Sequence, residues 1–459
     1  MGEIRWSRPL PFGPEFAWGA ATSAYQIEGA AHEDGRGESI WDRFATLPGS
    51  VADESTGEVA ADHYHRWPED IGLMRELGLR AYRFSVAWPR VIPAGRGAVN
   101  ERGLAFYDRL VDGLLEAGIE PWVTLYHWDL PQALENAGGW PDRRTAHAFE
   151  QYTDVVSRRL GDRVQRWITI NEPWEIGFLG HLTGEHAPGV RDLRTALAAI
   201  HTVLMAHGRA ATVIRSNVRD SSIGIALSPS ACYPATATEA NRAARSRMDG
   251  SMNRWFLDPI LGKGYPLDTV ELYGSAAPRI RAGDMEMIAQ PLDFLGLNYY
   301  FSLWVADDPA APPLRARRVQ PPSEIPTTTM GWAVDPDGLY ATLVGLQAMS
   351  HEVPIVITES GAAFEDRPSS DGAIPDADRL LYHAAYLDAA ARAVDDGVRL
   401  VGYFAWSLLD NFEWAFGYGR RFGLVYVDFV TQRRTVKRSG RWYRQVIDKG
   451  HLVDPSLVP

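Results

Sequence analysis

Short apolar runs alternate along the chain with longer stripes of helical spacing. Phe16-Ala-Trp-Gly-Ala-Ala-Thr22 reads as a buried strand, and Trp67, Ile71, Met74 and Leu77 then recur at helical spacing up to a stop at Gly78. Arg80 to Trp88 repeats the strand and ends against Pro89. Leu104, Tyr107, Leu110, Val111, Leu114 and Leu115 repeat the helix, closed by Gly118. Pro121 to His127 is a third strand, and Phe149, Tyr152, Val155, Val156 and Leu160 form its helix. In Arg166 to Trp174, the apolar residues Trp167, Ile168 and Ile170 favour a fourth strand. Pro173, which cannot donate a ladder hydrogen bond, stops it and leaves Glu172 at its exit.

Beyond Trp174 the spacing predicts a long loop through His186 to Gly189 and a helix from about Leu193 to Ser216. Ser222 to Ser228, Asp293 to Tyr300, Pro354 to Gly361 and Leu400 to Ser407 supply strands five to eight, and Phe422 to Val427 reads as a hairpin strand. Residues 305–335, rich in Pro and Thr, read as a βα loop because the pattern resumes unchanged after them. Eight strands alternating with helices predict an α/β fold, a single (β/α)8 TIM barrel with long βα loops, as one domain over residues 1–459.

Composition narrows the partners. The net charge is −12, from 58 acidic and 46 basic residues, with no basic run able to track phosphates. That excludes nucleic acid and anionic membrane as expected partners and favours a small neutral molecule. The single cysteine, Cys232, rules out a disulfide framework and a cysteine metal site and reads as buried packing. No signal-peptide core stands in Met1 to Gly13, and no window offers about 18 uncharged apolar residues, so the expected location is cytoplasmic. The 16 Trp, 18 Tyr and 16 Phe exceed what a core needs, and surplus indoles line clefts that stack on sugar faces.

In such a barrel the site lies at the carboxyl ends of the strands. Those exits carry Gln26, His127, Trp128, Asn171, Glu172, Asn298, Tyr300, Glu359, Trp406 and Glu413. With no ligand-spaced His cluster, Gly-rich phosphate loop, Cys or Lys among them, no metal or cofactor is expected. Glu172 and Glu359 close strands four and seven, nearly opposite each other. Two facing carboxyls suit glycoside cleavage: one protonates the departing oxygen, the other attacks or assists water, and about 5–5.5 Å between them predicts retention. The indoles of Trp167 and Trp174 form an apolar wall, and the charge of Glu359 is the expected main cause of a raised Glu172 pKa.

Six segments in order resemble family 1 of the glycoside hydrolases, the β-glucosidase-like enzymes, from Phe16 to about Trp442. They are Phe16 to Gly29, Tyr82 to Arg90, Tyr126 to Pro131, Thr-Ile-Asn-Glu-Pro at 169–173, Gly-Leu-Asn-Tyr-Tyr at 296–300 and Ile-Thr-Glu-Ser-Gly at 357–361. The resemblance implies that Glu172 is the acid/base and Glu359 the nucleophile. It implies that Asn171 holds the sugar 2-hydroxyl, and that Gln26, His127, Trp128 and Glu413 bind the other hydroxyls. Trp406 falls beneath the ring and Trp414 beside it, with Asn298, Tyr300 and Phe422 completing the substrate set. Arg83 and Tyr300 match contacts of the nucleophile, and a guanidinium there keeps Glu359 ionised. Trp174 and Trp332 match aglycone-side aromatics. Ser360 stands where the family most often has Asn, and keeps a donor and an acceptor.

The implied activity is a retaining β-glycosidase that removes terminal β-D-glucosyl residues, with galactosyl and fucosyl also open, from small β-glycosides or short oligosaccharides, as in cellulose degradation. A 6-phospho-β-glycosidase would need cationic donors where Glu413 stands to repel a phosphate, and a thioglucosidase would have Gln in place of Glu172. A non-catalytic sugar-binding barrel would have lost a carboxylate. Trp88, Trp122 and Trp167 are expected in the core, and Glu28, Glu175, Asp129 and Asp410 as hydrogen-bonded support or solvated. Aglycone choice is assigned to the loops around Trp174, Leu182 and residues 305–335, and oligomeric state stays open.

Overall fold

The apolar runs become one closed parallel barrel in the computed structural model, which describes residues 4–458. Met1 to Glu3, part of the amino-terminal stretch read for a leader, and Pro459 lie outside the described residues. In chain order the strands are β1 (Ala17–Ala21), β2 (Ala81–Ser85), β3 (Glu120–Thr124), β4 (Arg166–Asn171), β5 (Ser222–Leu227), β6 (Cys232–Pro234), β7 (Leu295–Asn298), β8 (Leu303–Asp307), β9 (Ala316–Val319), β10 (Ile355–Ser360), β11 (Leu400–Trp406), β12 (Val425–Val427) and β13 (Arg434–Val436). Around the barrel they run β1-β2-β3-β4-β5-β7-β10-β11, and β11 closes on β1 from Ala17↔Gly402 to Ala21↔Trp406. The eight predicted barrel strands are these eight.

Parallel strands covered on both faces have no solvent side, so their sequences are continuously apolar rather than alternating. All five residues of β2 are buried, Arg83 included. In the lumen Trp122 packs edge-on against Phe294 and Phe404, with centroids 5.2 and 5.1 Å away. Such pairs contribute about 0.5–1.5 kcal/mol beyond the area they bury. Gly19 admits this plug: a Cβ on it would stand 2.5 Å from the Phe404 ring.

The helices lay their stripes on this barrel. In Glu101–Glu116, Leu104, Tyr107, Leu110, Val111 and Leu114 are buried. Leu115, expected on the same stripe, is 42% exposed, because it lies roughly 100° round the helix from Leu114. Leu193–Asn217 has the length and composition to cross a membrane, yet 78% of its most apolar stretch is buried, against Arg144–Leu160 and the barrel. Its apolarity is that of a core helix.

Two stretches depart from the expected pattern. The segment after Trp174, expected as loop, winds as a π-helical stretch over Glu175–Thr183 and stops at Gly184, whose φ is 69°. Gly177 and Gly180 interrupt its stripe in the sequence, and Gly177 is required by Ile200, 2.2 Å from where a Cβ would stand. Residues 305–335 do not form a plain loop either. β8 pairs in parallel with β6 and antiparallel with β9, making a three-stranded sheet outside the barrel. The Ala-Arg-Arg-Val of β9 has no alternating face, and β6 is distant in sequence, so tertiary pairing sets this sheet. Cys232 is buried in β6, as expected. β12 and β13 form the predicted hairpin.

Candidate active site

The carboxyl ends of the barrel strands surround a cavity of about 210 Å³. β4 ends in Asn171 with Glu172 next, β7 leads to Asn298 and Tyr300, β10 carries Glu359 and β11 ends in Trp406. Neighbouring residues of an extended strand point to opposite faces, yet Glu172 lines the cavity while Asn171 beside it bonds to Glu172 and His127 from behind. The break is at Glu172, whose φ is 47°; Trp128 and Trp414 share this left-handed conformation at 79° and 49°. Each costs on the order of 1–3 kcal/mol and persists because its surroundings dictate it. The Glu172 backbone N–H donates to the Ala226 carbonyl at 2.9 Å, and the Trp128 indole to the Asn171 carbonyl at 3.0 Å.

Arg83 joins the two carboxyls into one network. Its Nη2 donates to Asn171 Oδ1 at 2.6 Å, its Nε to Thr124 Oγ1 at 3.1 Å, and its Nη1 to the Thr358 carbonyl at 3.0 Å and to Glu359 Oε1. The Tyr300 hydroxyl donates to Glu359 Oε2 at 2.5 Å. Both oxygens of Glu359 therefore accept from donors, one of them cationic. Glu172 receives amides alone, from Asn298 Nδ2 at 2.9 Å and Asn171 Nδ2 at 3.1 Å. Asn298 is itself set by Thr358, whose hydroxyl donates to Asn298 Oδ1 at 2.7 Å.

These surroundings separate two chemically identical groups. Burial pushes Glu172 well above the usual carboxylate range, and the charges of Glu175 and then Glu359 add to it. The expectation that Glu359 is the main cause is corrected: burial comes first and Glu175 second. Burial also raises Glu359, but Arg83 and the Tyr300 hydroxyl oppose it. The proton shared by this pair resides on Glu172. Burial and the charge of Glu359 push Glu413 up to about 8, and burial pushes Glu175 up to about 8. Burial and then Arg83 hold His127 well below its ordinary range, so the ring is neutral, with Nε2 3.2 Å from Asn171 Nδ2.

A family model described as glycosyl hydrolase family 1 matches residues 9–451. The chain belongs to glycosyl hydrolase family 1. Beta-glucosidase A of Acetivibrio thermocellus is 47% identical over 440 residues, covering 95% of this chain and 98% of the relative. The bifunctional beta-D-glucosidase/beta-D-fucosidase of Bifidobacterium breve is 43% identical over 457 residues, covering 95% and 98%. Among solved structures, the family 1 β-glucosidase from Thermotoga maritima in complex with isofagomine lactam matches with a TM-score of 0.94 at 46% identity, over 97% of this chain and 100% of that one.

Within this family 1 barrel, twelve of the residues singled out by sequence line the cavity: Glu172, Glu359, His127, Trp128, Asn298, Tyr300, Trp406, Glu413, Trp414, Phe422, Trp174 and Trp332. Gln26, Arg83 and Asn171 stand behind that wall. Gln26 donates to Asn411 Oδ1 and the Phe412 carbonyl, both at 3.0 Å, and lies 3.5 Å from Glu413 Oε2. The Asn171 amide is already engaged by Arg83, Asn298, Glu172 and His127. Ser360 is buried on β10, with its hydroxyl 3.5 Å from that of Tyr382. Trp88, Trp122 and Trp167 are core residues, as expected.

Other expectations change. Leu179, not Leu182, reaches the cavity, because the π-helical stretch turns Leu182 onto the hydrophobic core. Glu175, read as support or solvated, lines the cavity and accepts from the Ser228 hydroxyl at 3.0 Å. Glu28 and Asp410 are hydrogen-bonded support, to Arg90 and Tyr107 and to Lys437 and Arg421. Asp129 departs from both readings: it is buried, neither oxygen is hydrogen-bonded by another residue, and burial pushes its carboxyl up to about 8. Glu413, largely protonated at neutral pH, does not exclude a phosphate by charge. The missing element is a cationic cradle, since Arg318, beside Trp174, is the only Lys or Arg lining the cavity among the described residues. A charged residue amid the Ala-Arg-Arg-Val of β9 was the one local signal for Arg318, and it resembles ordinary edge-strand charge.

Proposed function

We propose that this family 1 member hydrolyses terminal β-D-glucosyl residues of small β-glycosides by double displacement. The observation that carries the reading is the unequal setting of the two carboxyls, with Glu359 between Arg83 and Tyr300 and Glu172 buried among amides. In the first displacement a Glu359 oxygen bonds to the anomeric carbon while the bond to the aglycone oxygen breaks, and that oxygen takes the proton of Glu172. Esterification removes the charge of Glu359, one of the causes that kept Glu172 protonated. The ionised Glu172 then takes a proton from water as the water oxygen displaces Glu359. Two inversions return the original configuration.

The indoles of Trp128, Trp406 and Trp414 give the pyranose an apolar wall, and Glu413, held by Gln26, offers a carboxyl to its hydroxyls. Asn171 holds the 2-hydroxyl by sharing an amide that now serves Glu172 and His127. Trp174 and Trp332 flank the aglycone. Glucose is the proposed glycone, with β-fucosides accepted, a reading supported by the names of the relatives. A relative from Thermotoga neapolitana is named 1,4-beta-D-glucan glucohydrolase, which supports short β-1,4-glucans as natural substrates. Nitrophenol release from the unphosphorylated β-glucoside, followed by proton NMR, tests the reading. The β-anomer of glucose must appear before the α-anomer. The α-anomer appearing first would refute double displacement, and sugar binding without turnover would leave only a binding barrel.

A further inference from the structure

The wall that carries Arg318 also carries five glutamates, Glu172, Glu175, Glu185, Glu359 and Glu413. Buried acids normally capture a nearby arginine, and elsewhere in the site Arg83 is captured by Glu359. Arg317, the neighbour on β9, pairs with Asp308, whereas Arg318 has no carboxylate partner among the described residues. Its guanidinium carbon stands 5.3 Å from the centroid of the Trp174 ring, and Nη2 donates to the thioether of Met252 at 3.7 Å. A thioether is a weak acceptor, so most of the N–H donors of this permanent cation are unmatched at the cavity rim. Arg318 is exposed on β9, so its unmatched donors are open to an incoming group, and a guanidinium can grip a carboxylate in bidentate fashion.

We propose that Arg318 is a specificity-determining residue that selects aglycones bearing a carboxylate, held by its fork while the aglycone's apolar body lies against Trp174. The inference rests on the hydrolase reading of the same cavity, in which Trp174 follows the acid/base Glu172 and marks the leaving-group side. Glu175, on that side, remains largely protonated up to about 8 through burial, so it presents a donor and not a repelling charge. The exposed Glu185 on the rim is the opposing charge. Arg318 belongs to the added sheet, not to the barrel, so this preference is separable from recognition of the sugar.

The test compares the β-glucosides of 4-hydroxyphenylacetic acid and of its amide, whose phenols are nearly equal leaving groups. The intact protein should show a higher kcat/KM for the acid, eroded by salt, and Arg318→Gln should reduce the acid-to-amide ratio by about tenfold, as loss of a charge-assisted bond does. An unchanged ratio, or a preference of the intact protein for the amide, overturns the proposal. If neither glucoside nor nitrophenyl β-glucoside turns over, the hydrolase reading fails instead. The ratio of Kd values for the sulfur-linked analogues, measured by calorimetry, then still decides whether Arg318 selects the acid: equal Kd values refute it.

Discussion

Arg83 reaches Glu359 directly and Glu172 only through the amide of Asn171, so its positive charge acts on one carboxyl far more than on the other. With the proton on Glu172, Glu172→Gln should lower glycosylation by alkyl glucosides about 10²–10⁴-fold, the usual contribution of a general acid. Dinitrophenyl glucosides, whose leaving group needs no proton, should lose much less; equal losses would count against Glu172 as the acid. Glu175 adds a second testable asymmetry. Once ionised, above about pH 8, Glu175 raises the proton affinity of Glu172, so Glu175→Gln should lower that affinity and shift the basic limb of the kcat/KM profile to lower pH. A limb that stays in place would show that the two carboxyls are not coupled.

At the scale of elements, the sheet of β6, β8 and β9 brings Arg318 to a cavity otherwise lined by the barrel strands and the segments that follow them. Arg247 on the helix Glu239–Asp249 ties that sheet down, donating to the Leu314 carbonyl at 2.6 Å, the Arg315 carbonyl at 2.7 Å and Asp307 Oδ1 at 2.6 Å. Removing these bonds costs on the order of 1–3 kcal/mol locally, because the carbonyls are left without their donor. Arg247→Ala should therefore speed proteolysis within residues 308–315 and raise KM for aryl glucosides while binding of a glucose-shaped inhibitor is preserved. Proteolysis and KM at the level of the unaltered protein would show that the sheet holds itself.

Over the whole molecule, buried acids and buried histidines pull stability in opposite directions with pH. Burial raises Asp129, Glu175 and Glu413 to about 8 and Glu135 to about 7. Their folded values lie above the unfolded ones, so their contribution is complete below about pH 4 and is lost as pH rises toward 8. Burial lowers His181 and His207 to about 4 and His186 and His383 to about 3. Their contribution is present above about pH 6.5 and lost as pH falls. Asp70 and Asp366, lowered despite burial by His63 and Arg434 and by Lys437 and Arg379, lose theirs at still lower pH. The trends oppose between about pH 4 and 6.5, and above that range these acids go on losing their contribution while these four histidines no longer change. Thermal melts should therefore show the highest midpoint inside that range and a fall toward pH 8; a midpoint that climbs to pH 8 would contradict this balance.

The barrel was legible because its signals are local. Strands covered on both faces read as unbroken apolar runs, helices as stripes, and each βα unit repeats the signal with a glycine or proline between. Strand exits then pointed to Glu172 and Glu359 without any knowledge of contacts. Which of the two holds the proton depended on where one buried guanidinium and one tyrosine hydroxyl lie, and both come from other strands. That Gln26, Arg83 and Asn171 stand behind the wall, and that Glu175, Leu179 and Arg318 enter it, was likewise decided by tertiary structure. The reason is common to all of them: the left-handed turn at Glu172, the π-helical stretch and the β6–β8 pairing are held by partners remote in sequence, and such partners leave no periodic trace in the chain.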